Sequence, residues 1–248
     1  GLFRDAFLDY LAGFRFTGDV FAVAEGTPVF ADTPILEVVA PIGQAQLVET
    51  FLLNQVTFQT GIASKASRVV HAARGRSVAD FGMRRMHGAD AALRAARAYH
   101  VAGVDATSNV LAACVYGLKP TGTMAHSYIE AHDREEDAFR AFAAAYPGTT
   151  LLVDTYDTLE GVRRVIELAR RHGDAFRVGA LRLDSGDLVA LSREARRLLD
   201  AAGLGHVRLL ASNSLDEHTI AGLVAQDAPI DGFGVGTRMG ALADRPYL

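Results

Sequence analysis

Val178-Gly179-Ala180-Leu181-Arg182-Leu183-Asp184-Ser185-Gly186-Asp187 is the stretch whose reading decides the fold. Its first six residues are a short, largely apolar run, the pattern of a strand buried on both faces. A polar end follows, and Leu188, Leu191, Ala195, Leu198 and Leu199 then recur at helical spacing before Gly203. Strand, polar end and helix make one unit of a parallel sheet, because parallel neighbours need a crossover. The unit repeats on both sides. Leu151-Leu152-Val153 ends at Asp154, and Val162, Val165, Ile166 and Ala169 follow on a helix that Thr158 is placed to cap and Gly173 to end. Val207 to Ala211 ends at Ser212-Asn213, and Ile230 to Val235 ends at Gly236. Nearer the start, Ser77-Val78-Ala79 leads into Asp80, Asp105-Ala106 into Thr107-Ser108, and Pro120 to Met124 into His126.

Seven such strands predict an α/β fold with a parallel sheet covered by helices. No dinucleotide-type glycine fingerprint follows the first of them, which favours an irregular, incomplete (β/α) barrel of about seven parallel strands over an open doubly wound sheet. Residues 1–75 read differently. Val20 to Phe30 and Ile35 to Ala40 are strand-like around the turn Asp32-Thr33-Pro34, and a long helix runs from about Gly43 to Ala73. Arg74 is expected in its last turn and Gly75 at its end. The chain thus divides into a small β-rich part with a linking helix, 1–75, and an α/β barrel, 76–248.

Composition sets outer bounds. Of the 248 residues, 50% are apolar and 22% charged, which excludes a disordered chain. The single cysteine, Cys114, excludes a disulfide framework and fits a reducing, cytoplasmic setting. No apolar run is long enough to cross a membrane, and no basic, apolar leader opens the chain. A net charge of −4 argues against a protein that coats nucleic acid or anionic lipid. Lys65 and Lys119 are the only lysines among 25 basic residues, and neither is placed at a strand end, which disfavours Schiff-base chemistry. The chain opens on Gly1 and stops at Leu248, and it is expected to be truncated at both ends.

In a barrel, the loops at strand C-termini build the active site. Here those ends carry Asp80, Thr107 and Ser108, His126, Asp154, Asp184 and Asn213. Asp, Ser and Asn also cap helices, so each alone is as readily a cap as a functional group; together they indicate a site. His126 arrives on a glycine-containing strand, and a carboxylate from the next strand end, Asp154, would fix its tautomer and raise its basicity. A satisfied structural histidine is the competing reading. Arg182 and Asp184 share one strand face and can orient a planar anion, or hold a sugar hydroxyl and a metal; an ion pair in a polar barrel interior is the alternative. Arg84 and Arg85 add cationic forks beside Phe81, whose ring could stack on an aromatic ligand. The glycine-rich Gly232 to Thr237 and the donors of Ser212-Asn213-Ser214 suit a phosphate, although glycine also relieves crowding in barrels. No zinc-type spacing and no P-loop occur.

These stretches resemble the nicotinate phosphoribosyltransferase family, through Glu25-Gly26-Thr27, Asn54 to Lys65 (NQVTFQTGIASK), Asp80 to Gly88 (DFGMRRMHG) and Thr107 to Ala112 (TSNVLA). The likeness continues in Gly122 to Ser127 (GTMAHS), Val153 to Asp157 (VDTYD), Arg182 to Asp187 (RLDSGD) and Asp231 to Thr237 (DGFGVGT). The resemblance implies a type II phosphoribosyltransferase fold, a barrel joined to a smaller β-rich domain of which 1–75 is a remnant. It implies formation of nicotinate mononucleotide and pyrophosphate from nicotinate and phosphoribosyl pyrophosphate, in NAD salvage. ATP hydrolysis is coupled through a phosphorylated histidine, matched by His126, with Asp154 matching the acid that orients it. Arg84, Arg182 and Phe81 match residues around the pyridine ring, Asp184 a ribose contact, and Asn213, Gly236 and Thr237 the 5′-phosphate-binding strand ends. Mg²⁺ is implied as cofactor and ATP as coupled substrate, with a cytoplasmic homodimer whose sites are shared between subunits. Ser108 stands where related nicotinamide-using enzymes carry an aspartate, and so favours nicotinate.

The main alternative is a truncated, non-catalytic barrel that binds phosphate or a nucleotide; a nicotinamide-type phosphoribosyltransferase is the other. The retained His126, Asp154 and Asp184 argue against the first, and Ser108 against the second. Quinolinate, with two carboxylates, calls for a denser basic pocket. The isolated chain is expected to turn over weakly or not at all.

Overall fold

The structure, a computed structural model, describes residues 1–241. They form two compact units that divide at Phe58/Gln59, within a helix.

The first unit holds α1 (Asp5–Ala12), β1 (Asp19–Ala22), β2 (Leu36–Val39) and the start of α2 (Ile42–Ala73). β1 and β2 pair antiparallel, Asp19 opposite Val39 and Ala22 opposite Leu36. The first strand is shorter than its apolar run suggests. Val23 N still donates to Ile35 O at 3.0 Å, but Gly26 takes φ 81 and Thr27 N folds back onto Ala24 O. Pro28 then has no N–H to donate to a ladder. Helix α2 stops at Ala73, because Arg74 and Gly75 adopt φ of 50 and 83. Arg74 therefore lies beyond the last turn where it was expected.

The second unit continues α2 and runs through β3 (Ser77–Asp80), a 3₁₀ turn (Met83–Arg85), α3 (Ala89–Val101), β4 (Ala106–Thr107), α4 (Val110–Tyr116), α5 (His126–Glu130) and α6 (Glu135–Ala145). It goes on through β5 (Thr150–Leu152), α7 (Thr158–His172), β6 (Ala180–Leu183), α8 (Leu188–Ala201), β7 (Arg208–Ala211), α9 (Glu217–Ala225), β8 (Gly232–Val235) and α10 (Thr237–Gly240). The sheet order is β4-β3-β8-β7-β6-β5, parallel throughout. The last strand thus lies beside the first, as ring closure of a (β/α) barrel requires.

Six strands form the ladder; the expected seventh, Pro120 to Met124, is reduced to one parallel bridge between Pro120 and Thr107. Arg182 takes over where the ladder stops. Its guanidinium donates to Thr123 Oγ1 and, at 3.3 Å, to Met124 O. Side-chain hydrogen bonds therefore join this segment to β6.

The core explains the apolar runs. Leu151, Leu152, Leu181, Leu183 and Leu209 are fully buried and cluster with Val162 and Val165 of α7 and Ala195 and Leu199 of α8. Each such side chain contributes about 1.5–3 kcal/mol of transfer free energy. Gly161 lets α7 approach β5: a Cβ there would stand 2.2 Å from Val153 O. The cap of α7 is Asp157, whose side chain accepts from Glu160 N at 2.8 Å; Thr158, the expected cap, is the first helical residue. Gly173 ends the helix as expected. No helix among the described residues is long and apolar enough to cross a membrane.

Helix α2 is tied to α9 by Lys65 and Glu217, both buried, with Nζ 2.8 Å from Oε2 and Arg68 Nε 3.0 Å from Oε1. Burial works against the charge on Glu217, but hydrogen bonds from Lys65 and Arg68 hold its carboxyl below the ordinary 4.5. Its contribution to stability is complete above that ordinary value and is lost as pH falls through the lowered one. Denaturation midpoints measured from about pH 5 to about pH 3 should therefore fall more steeply for the wild type than for Glu217→Gln. Parallel curves would contradict this.

Candidate functional site

The end of β6 is the centre of the site. Arg182 and Asp184 share a strand face, and Arg182 Nη2 lies 3.5 Å from Asp184 Oδ1. Ser212, just beyond β7, donates its hydroxyl to the same Oδ1. The other carboxylate oxygen, Oδ2, faces His126 Nε2 at 3.4 Å. His126 opens α5, and its Nδ1 lies 3.2 Å from Thr155 Oγ1.

Asp154 does not take the place expected of it. Its Oδ2 accepts from Asp184 N at 2.8 Å and from Ser185 Oγ at 2.6 Å, so it holds the loop after β6. The carboxylate facing His126 comes from Asp184, one strand further on. Strand ends reveal which residues converge; they do not reveal which of two neighbouring acids turns toward a given side chain.

Asp80 also serves the scaffold. It is buried and accepts from Gly82 N and Thr107 Oγ1, each at 2.7 Å, joining the ends of β3 and β4. Burial pushes its carboxyl up, while these two hydrogen bonds act the other way.

Helix capping is done by other residues. Asp157, Asp187 and Asp216 cap α7, α8 and α9, and Asn109 caps α4. In three consecutive loops the cap stands three positions after the strand-end residue: Asp154 and Asp157, Asp184 and Asp187, Asn213 and Asp216. Backbone donors at the helix starts are thus satisfied without Asp184 or Asn213, which remain at the mouth.

A cavity of about 800 Å³ opens over these ends, within the range of small-molecule sites. Phe81, Arg84, Ser108, His126, Arg182, Asp184, Asn213, Gly236 and Thr237 line it, whereas the strand-end residues Asp80, Thr107 and Asp154 do not. Arg84 and Arg85 come from the 3₁₀ turn after β3. Asn213 and its neighbour Ser214 hold φ of 78 and 51, left-handed backbone of the kind found at functional loops. In the sequence Thr123 and Thr155 stand out only as parts of motifs. As partners of Arg182 and His126 they join the site, and the signal was a hydroxyl residue close to each strand-end group.

Arg84, Arg85 and Arg182 all line this cavity, which suits an anionic ligand. No group of three or more His, Cys, Asp or Glu side chains able to hold a metal is found among the described residues. A metal at this mouth would rest on Asp184 and on ligand oxygens, the way Mg²⁺ is held beside phosphates. A second hollow, of about 720 Å³, lies between α2 and α9 against His71 and Glu217. It is away from the strand ends and walled largely by Ala72, Ala221, Val224 and Ala225, so the barrel mouth is the candidate site.

Residues 76–245 match the nicotinate phosphoribosyltransferase (NAPRTase) family, and residues 1–57 match the NAPRTase N-terminal domain. The chain is 58% identical over 248 residues to nicotinate phosphoribosyltransferase pncB2 of Mycobacterium tuberculosis, covering all of this chain and 54% of that protein. It is 44% identical over 229 residues to nicotinate phosphoribosyltransferase of Bacillus subtilis, covering 92% and 47%. The crystal structure of human nicotinic acid phosphoribosyltransferase superposes with a TM-score of 0.87 at 27% identity, covering 94% of this chain and 58% of that one. The chain spans about half the length of the curated relatives it matches.

Asp154→Ala should cost about 1–3 kcal/mol by stranding the Asp184 N–H and the Ser185 hydroxyl, and should speed hydrogen exchange at the Asp184 amide. Chemical denaturation with exchange measurements checks this. Wild-type stability and exchange would contradict the anchoring role.

Proposed function

The chain belongs to the nicotinate phosphoribosyltransferase family, and we propose that its barrel mouth joins nicotinate to phosphoribosyl pyrophosphate. The products are nicotinate mononucleotide and pyrophosphate, as in NAD salvage. The observation that carries this reading is the convergence of Arg182, Asp184 and His126 with Phe81 and the glycine-rich end of β8 on one cavity.

The pyridine nitrogen forms a bond to the ribose C1 as the bond from C1 to the pyrophosphate oxygen breaks. Arg84 and Arg182 pair with the nicotinate carboxylate, and Phe81 covers a ring face. Asn213, Gly236 and Thr237 hold the 5′-phosphate. Positive charge grows at C1 as pyrophosphate leaves, and the Asp184 carboxylate, fixed by Ser212 and Arg182, lies where it can hold the ribose and favour that charge. Mg²⁺, when bound, supplies charge to the leaving pyrophosphate, and Asp184 is the residue that would hold it. In the coupled reaction a His126 ring nitrogen bonds the γ-phosphorus of ATP as its bond to the ADP oxygen breaks, ADP leaves, and water later removes the phosphoryl group as phosphate; Thr155 and Asp184 position the ring. Asp154 acts on His126 by holding the Asp184 backbone. The working protein is a cytoplasmic homodimer; the exposed Val110, Leu111 and Val115 of α4, next to Ser108, support an interface near the mouth.

A product assay with nicotinate, phosphoribosyl pyrophosphate and Mg²⁺, with and without ATP, tests the reading on the wild type and on His126→Ala. Nicotinate mononucleotide formed at low turnover, detected by mass spectrometry and stimulated by ATP only in the wild type, is the expected result. Folded protein that binds neither substrate would overturn the proposal. Binding without product would favour the non-catalytic barrel.

Ser108 supports nicotinate as the preferred pyridine, since a neutral side chain at the mouth does not repel its carboxylate. Ser108→Asp should weaken nicotinate binding roughly tenfold while leaving nicotinamide binding unchanged or improved. Equal effects on both ligands would remove Ser108 from the specificity pocket.

A further inference from the structure

We propose that Gly234 is a positioning residue: it seats the Phe81 ring and thereby sets the width of the slot open to a planar aromatic substrate. This rests on the assignment of Phe81 to the pyridine face given above, and deepens it.

A Cβ on Gly234 would stand 2.5 Å from Phe81 Cε2 and 2.6 Å from Cδ2, and 3.4 Å from Ser212 Cβ. Carbon atoms in contact normally stay about 3.5–4.0 Å apart, so the ring edge occupies the volume that any side chain at 234 would need. Gly234 and Phe81 both line the cavity, which makes this contact part of its wall.

The backbone around Phe81 cannot readily give way. Phe81 N donates to Val235 O at 2.8 Å, and Gly82 N to the buried Asp80 Oδ1 at 2.7 Å. On the other side, a Cβ at Gly236 would already stand 3.1 Å from Phe81 O. With the backbone of residues 81 and 82 held against the end of β8, a methyl at 234 is accommodated by rotating the Phe81 side chain. That rotation carries the ring off the strand and into the cavity, narrowing the space for a planar ligand. The alternation Gly232, Gly234, Gly236 places all three on one strand face, but only Gly234 has the ring against it.

The test is a double-mutant cycle read by calorimetric binding of nicotinate and, separately, phosphoribosyl pyrophosphate. Gly234→Ala should weaken nicotinate binding by about tenfold or more and leave phosphoribosyl pyrophosphate binding within about twofold. In a Phe81→Leu background, where no ring meets the methyl, the same substitution should change nicotinate binding by less than about twofold. An equal loss in both backgrounds, or no loss in either, overturns the proposal. Phe81→Leu alone binding nicotinate like the wild type would instead overturn the assignment of Phe81 to the pyridine. A ligand-free measurement keeps the seat testable by itself: nuclear Overhauser contacts between the Phe81 ring and the Gly234 α protons are expected in the wild type, and their absence overturns the seat.

Discussion

The Asp184 carboxylate is the constraint on which the barrel mouth depends. A partly buried charge is tolerated only when its lone pairs are used, and Asp184 uses them on three groups from different parts of the chain. Ser212 comes from the end of β7, Arg182 from β6 itself, and His126 from the segment after the Pro120–Thr107 bridge. The Asp184 main chain is in turn pinned to Asp154 beyond β5. The carboxylate thus ties together three chain segments, and the Asp184 backbone adds a fourth. Arg182 extends the arrangement to Thr123 and Met124, where the ladder has stopped. Arg84 and Arg85, from the turn after β3, add cationic groups to the same cavity.

A division of labour within the loops makes this possible. A βα loop must satisfy the free N–H groups of the helix that follows, and the readiest acceptor is an Asp or Asn. Here that duty falls on Asp157, Asp187 and Asp216. The strand-end residues three positions earlier are released for other partners: Asp154 for the Asp184 loop, Asp184 for the mouth, Asn213 for a strained left-handed turn. Glycine divides its work in a similar way. Gly161 allows a helix to lie close on a strand, whereas Gly234 leaves room for a ring.

Much of this is legible in the sequence. The period of apolar residues between Thr158 and Gly203 gave two helices and the strand between them, because burial on a helix stripe or in a sheet leaves a repeat of its own. The long helix ending at Ala73 was equally plain. What escaped depends on three-dimensional competition. Pro120 to Met124 has the look of a strand, yet only one residue pairs, since its neighbours bond to an arginine side chain. The run from Val20 to Phe30 breaks early at a glycine turn. Thr158 and Asp157 are both capable caps, and the aspartate one position earlier takes the role. Asp154 stands at the strand end next after His126 and Asp184 one strand further on, yet it is Asp184 whose carboxylate turns to the histidine.

The central claim is that one cavity at the strand ends, organised by Asp184, receives a pyridine mononucleotide. Titrating isotope-labelled protein with nicotinate mononucleotide and following the backbone amides tests it most directly. The account predicts saturable shifts confined to residues around the mouth, among them Phe81, Ser108, Arg182, Asp184 and Gly236. Shifts centred on the groove between α2 and α9, or none at millimolar ligand, would contradict it.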